Sequence, residues 1–174
     1  MTIKKFNFSY TLLLFALLAV SFTSCGGDDD LATESYSYAF HTGQTVAAAP
    51  YSGTHPTDFS ATLVLDEMEN GNTMVTVNLE NTVDGEVYNM HAHDAADATT
   101  TPNGTPYNET PNATVLALQV TGNGGSASGS QESTLSITEL STTYEAFFVI
   151  HDPLQAISTT DISTYLVVGS FARR

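Results

Sequence analysis

Apolar and polar residues alternate in several short stretches of this chain, the period at which successive side chains point to opposite faces of a β-strand. In residues 34–40, Tyr36, Tyr38 and Phe40 share one face, with serine and alanine between them. Strands are also expected over 58–66 and 73–79, joined by the turn Glu69-Asn70-Gly71-Asn72, which makes the pair a hairpin. Residues 47–56 are small and turn-rich and read as a loop. Asp84-Gly85 marks a further turn, and the next strand covers 86–93. From 94 to 112 the alternation stops, and Pro102, Asn103, Gly104, Pro106 and Pro111 mark a long loop. Aperiodic loops of that length tend to be functional or disordered. Strands resume at 114–120, 133–137, 144–150 and 163–171, with 122–129 a glycine- and serine-rich connection. About eight short strands with frequent turns predict an all-β domain, a Greek-key β-sandwich or barrel. No internal repeat and no amphipathic helix is evident.

The start of the chain follows other rules. Lys4 and Lys5 precede a leucine-rich apolar run over 10–20, then Ser21, Thr23, Ser24 and the only cysteine, Cys25. A basic start, a short apolar segment and small residues make a signal peptide. The run falls short of the roughly 20 apolar residues that span a bilayer. Cysteine at this point resembles a lipobox, the site at which bacteria attach lipid, and each buried methylene contributes about 0.8 kcal/mol to anchoring. The expected organisation is a signal peptide over 1–24, a lipidated acidic tether over 25–33 and one β-sandwich domain over 34–174. Gly26-Gly27 followed by Asp28, Asp29 and Asp30 resembles the signal that takes Bacteroidetes-type lipoproteins to the outer face of the outer membrane. The expected location is therefore the cell envelope, lipid-anchored to the outer membrane and surface-exposed.

Charge narrows the partners. Leaving out Lys4 and Lys5 takes the whole-chain charge of −15 to −17, with only Arg173 and Arg174 positive. Such a surface repels nucleic acid and anionic headgroups and tolerates cations. With Cys25 lipidated no disulfide can form, so stability rests on the core or on a bound metal. A protein or glycan partner at the 94–112 loop is a further reading.

Three of the five histidines stand in telling places. His91 and His93 are two apart at the end of a strand, so both imidazoles point the same way. His151 ends the apolar strand Phe147-Phe148-Val149-Ile150. If these strands meet, three imidazoles with an open position suit zinc or copper. His41 and His55 lie near strand ends, each a fourth ligand or an exposed side chain. Asp94, Asp97 and Asp152 are placed to orient the imidazoles or to act as ordinary loop carboxylates.

Taken in order, these motifs resemble the copper/zinc superoxide dismutase family. A hairpin precedes His91-Ala92-His93-Asp94, where the family has a His-x-His-acid motif. Pro106-Tyr107-Asn108 stands where the family has His-Phe-Asn, Val149-Ile150-His151-Asp152 where it has Val-Val-His-Glu, and 165–169 resembles its last strand. The likeness spans roughly 59–171 and implies a superoxide dismutase-like fold with His91, His93 and His151 as metal ligands, copper first and zinc second. The departures imply little or no dismutase activity. Pro106 replaces the bridging histidine, the disulfide cysteines are missing, and Tyr165 stands at the arginine that attracts superoxide. If the protein is an enzyme, the likeness implies a copper oxidoreductase of the dismutase type. Residues 38–44, with Pro50 and Asn103-Gly104, also resemble the CHRD domain, a β-sandwich of secreted proteins. That likeness implies a non-catalytic binding module as the alternative.

Overall fold

The computed structural model of the chain describes residues 30–41, 50–96, 105 and 107–173. Its strands are β1 (Thr33–Ala39), β2 (Ser60–Glu67), β3 (Thr73–Glu80), β4 (Val87–Asp94), β5 (Ala117–Thr121), β6 (Ala127–Ser133), β7 (Ala146–His151) and β8 (Tyr165–Ser170). They form two four-stranded antiparallel sheets, ordered β1-β2-β3-β6 and β5-β4-β7-β8. The chain crosses between sheets after β3, β5 and β6, so β6 returns beside β3 and β7 lies beside β4. This is Greek-key connectivity. The signal segment, Cys25, Asp97, Asn103, Gly104 and Pro106 lie outside the described residues.

Alternation builds the core. Leu63 and Leu65 of β2 and Val75, Val77 and Leu79 of β3 are wholly buried, facing Tyr88, Met90 and Ala92 of β4 and Phe148 and Ile150 of β7. Burial of this kind is worth about 1.5–3 kcal/mol for each large apolar side chain. The sheets do not close into a barrel. Single bonds rather than a ladder join β1 to β8: Tyr38 Oη donates to the Ser170 carbonyl at 2.9 Å, and beyond the strand His41 N–H donates to the Leu166 carbonyl at 2.9 Å.

One expected strand is displaced. The strand assigned to 133–137 is absent, and β6 instead begins at Ala127, inside the glycine- and serine-rich stretch read as a connection, and ends at Ser133. Tertiary space decides this. Gly129 pairs with Val77, and a Cβ on it would lie 2.7 Å from Val120 Cγ2 of the opposite sheet, so only a residue without a side chain fits. Gly129→Ala is expected to cost about 1–3 kcal/mol through overpacking, read from urea unfolding. After β6 the chain turns instead of extending. Ser136 N–H donates to Glu139 Oε2 at 2.9 Å and Glu139 N–H donates to Ser136 Oγ at 3.3 Å, a Ser-x-x-Glu capping box. It opens a single π-type turn over Glu139–Thr143 that buries Leu140.

Candidate metal centre

On β4 the odd positions face away from the core. Asn89, His91 and His93 therefore line the outer face of the second sheet, while Tyr88, Met90 and Ala92 fill the interior. His91 pairs with Val149 of β7, which puts His151, two residues on, at its diagonal. The two histidine-bearing strands thus meet, the condition that the sequence left open. The His91 ring centroid lies 5.7 Å from that of His93 and 5.5 Å from that of His151.

A bulge completes the wall. Ile150 pairs with Val167 but His151 pairs with Tyr165, so Leu166 is an extra residue in β8. The slip turns Leu166 into the core and brings Tyr165 to the outer face, where its ring meets His151 edge-on at 4.5 Å. Tyr107, from the long loop, leans on His93 at 5.1 Å. Tyr107, Val149, Tyr165 and Val168 form a second apolar cluster, separate from the main core.

This roof makes the histidines unusual. His93 and His151 are 4% and 5% exposed although they lie on an outer face. The His93 Nδ1 is 2.7 Å from the Asn108 carbonyl, an acceptor, so Nδ1 carries the proton and Nε2 keeps its lone pair. That Nε2, with Nδ1 of His91 and Nδ1 of His151, is buried without a hydrogen-bond partner. One ring nitrogen from each of the three residues lies within 4.8 Å of the others. Nitrogens sharing one tetrahedral ion at about 2.0–2.1 Å stand about 3.4 Å apart, so the rings close by roughly an ångström or more on binding. Burial, with His93 beside it, pulls His91 down to about 4. Burial, then His91 and His93, pull His151 down to about 4. Burial lowers His93 as well, opposed by the Asn108 carbonyl. All three rings are neutral at pH 7, the form that binds metal.

The other histidines are not part of the cluster. His55, expected as a ligand or as exposed, is 2% exposed and wedged in aromatic packing beside Phe59 and Tyr88. Its Nδ1 donates to the Pro56 carbonyl at 3.0 Å, and its Nε2 accepts from Tyr88 Oη at 2.7 Å. Tyr88 Oη in turn accepts from Val83 N–H. His55→Ala is therefore expected to lower stability by about 2–4 kcal/mol and leave metal affinity unchanged, a split that unfolding and titration together resolve. His41 sets its Nδ1 3.0 Å from the Tyr165 carbonyl and stands outside the group of three.

Two of the carboxylates read either as orienting the imidazoles or as ordinary loop carboxylates bond to other partners. Asp152 is buried and accepts from Tyr51 Oη at 2.5 Å, Gln155 Nε2 at 2.8 Å and Leu154 N–H at 2.9 Å. Asp94 accepts from Tyr144 Oη at 2.6 Å and Asn112 Nδ2 at 3.0 Å. The group that orients His93 is a backbone carbonyl, which no residue type announces. Its one sequence signal is the Asx turn at Asn108, whose Oδ1 accepts from Thr110 N–H at 3.0 Å.

No family model, curated protein or solved structure matches the chain. Function therefore rests on the centre itself. Three neutral imidazoles in an aromatic-walled recess can hold a divalent or monovalent transition metal and leave a position for a further ligand.

Proposed function

We propose that this is a cell-surface lipoprotein, anchored through lipid on Cys25, whose sandwich binds one metal ion at His91, His93 and His151. Copper is the first choice and zinc the second. The observation that carries the reading is the convergence of His91, His93 and His151, one ring nitrogen of each within 4.8 Å of the others, on rings that each carry a buried nitrogen without a hydrogen-bond partner. An unsatisfied buried polar atom costs about 1–3 kcal/mol, and a bound cation removes that cost at each unpartnered nitrogen that it ligates. An all-nitrogen donor set suits both metals, and intrinsic affinity ranks Cu²⁺ above Zn²⁺.

The Greek-key sandwich and the placement of the triad on its outer face support a likeness to the copper/zinc superoxide dismutase family. Little or no dismutase activity is part of the proposal. The Tyr165 ring covers His151 where that family places an arginine, and a formal charge of −17 beyond the signal segment repels superoxide. Among the described residues no helix is long and apolar enough to cross a membrane.

The test is metal analysis of the isolated protein, then competitive titration with Cu²⁺ and Zn²⁺. One equivalent of copper, held more tightly than zinc, is expected. Absence of tight binding to either ion overturns the proposal. Labelling with radioactive palmitate, lost in Cys25→Ser, tests the anchor separately.

A further inference from the structure

His93 offers its metal-facing nitrogen only while the proton stays on the other one. Neutral imidazole in water prefers the Nε2–H form, so a released His93 places its proton on the very nitrogen that should bind. The Asn108 carbonyl prevents this, and it sits in a loop, not in a regular element. Something must hold that loop against β4.

Main-chain bonds do part of this. Asn108 N–H donates to the Asp94 carbonyl at 2.8 Å, Asn112 N–H to the Ala92 carbonyl at 2.7 Å, and Ala95 and Tyr107 form an isolated bridge. The side-chain tie converges on one atom, Asp94 Oδ1. It accepts from Asn112 Nδ2 on the loop and from Tyr144 Oη on the segment entering β7. Asn112 is itself oriented, because its Oδ1 accepts from Thr114 Oγ1 at 2.6 Å. Tyr144 is seated against Phe171, ring edge to face at 5.7 Å. One exposed carboxylate thus joins the end of β4, the loop that carries the carbonyl and the approach to the strand that carries His151.

We infer that Asp94 is a positioning residue that sets the metal affinity of the triad by pinning the 107–112 loop, and hence the Asn108 carbonyl, on His93 Nδ1. It acts at one remove, since strand alternation turns its own side chain away from the imidazoles. The inference rests on the metal-binding reading of the site.

The experiment compares full-length Asp94→Ala, Asp94→Asn and Asn112→Ala with the wild type. Cu²⁺ and Zn²⁺ dissociation constants come from competition titration, and the His93 tautomer of the metal-free protein from long-range ¹H–¹⁵N spectra. Loss of an outer partner of a metal-ligating histidine typically weakens binding about 10–100-fold, and about tenfold is expected for Asp94→Ala and Asn112→Ala. Both should also show a growing Nε2–H population at His93. Asp94→Asn keeps an acceptor oxygen in place and should retain affinity within about threefold. A merely structural role moves the unfolding midpoint and leaves the tautomer alone. Wild-type affinity and an unchanged tautomer in both alanine variants overturn the inference. If Asp94→Ala does not fold, Asn112→Ala decides, because it cuts the same tie from the loop side. If the wild type itself takes no metal, the metal-binding proposal fails, while the tautomer still reports whether Asp94 governs His93.

Discussion

Alanine at His91, His93 and His151 together is expected to abolish metal binding, and alanine at any one of them to weaken it by roughly a hundredfold. Structural zinc sites with four protein ligands are worth about 10–16 kcal/mol, so one ligand accounts for about 3 kcal/mol. The triple variant should nevertheless fold. It deletes three buried nitrogens that have no partner in the metal-free protein, and that relief offsets lost ring packing. Calorimetric melting gives a clear signature. Copper at a free concentration a thousand times Kd contributes about 4 kcal/mol and should raise the wild-type Tm by several degrees, while leaving the variant where it was. A variant that melts higher with copper, as the wild type does, places the metal elsewhere.

Acid is expected to destabilise the metal-free protein unusually early. His91 and His151 sit near 4 when folded and near 6.5 when unfolded. The unfolded chain therefore binds more protons between those values, so stability rises with pH across this window. The contribution is complete above pH 6.5 and is lost progressively as pH falls through 6.5 towards 4. Each unmatched proton costs about 1.4 kcal/mol per pH unit, and two coupled, partly solvated rings together amount to a loss on the order of 5 kcal/mol by pH 4. Urea unfolding of metal-free wild type at pH 7, 6, 5 and 4 should show a steady fall beginning near 6.5. The triple alanine variant should stay flat over the first part of that range. Parallel curves for the two proteins refute the assignment of the acid sensitivity to these rings.

The β-sandwich was legible because alternation is local. A strand with tyrosines or valines at every second position can bury only one face, and the hairpin at Asn70-Gly71 carries its own turn chemistry. The candidate triad was half legible. His91 and His93 share a face for the same local reason, yet nothing in the chain says that β7 lies beside β4 in the register that brings His151 to them. Pairing across 60 residues of sequence is settled by which faces the Greek key leaves for each other. β6 shows the reverse failure. Residues 127–133 have poor strand propensity, and they form a strand because β3 offers an unpaired edge and Gly129 alone fits against Val120. The misplaced strand at 133–137 had a visible contrary signal in Ser136 and Glu139, a capping box obscured by the alternation of Leu135 and Ile137.

The sequence by itself therefore determined the class of fold, the acidic charge and three histidines at strand ends, since composition and period need only neighbours along the chain. Tertiary structure alone decided that these histidines converge, that His55 belongs to aromatic packing, and that Asp152 spends its oxygens on Tyr51, Gln155 and a backbone amide. It also decided that the Leu166 bulge turns Tyr165 over the site and that a loop carbonyl fixes the proton on His93. The physical reason is common to all of them. Dehydration, tautomer and ligand geometry are properties of what surrounds a side chain, and those surroundings come from segments far away in sequence, brought together only when the two sheets pack and the loop closes on β4.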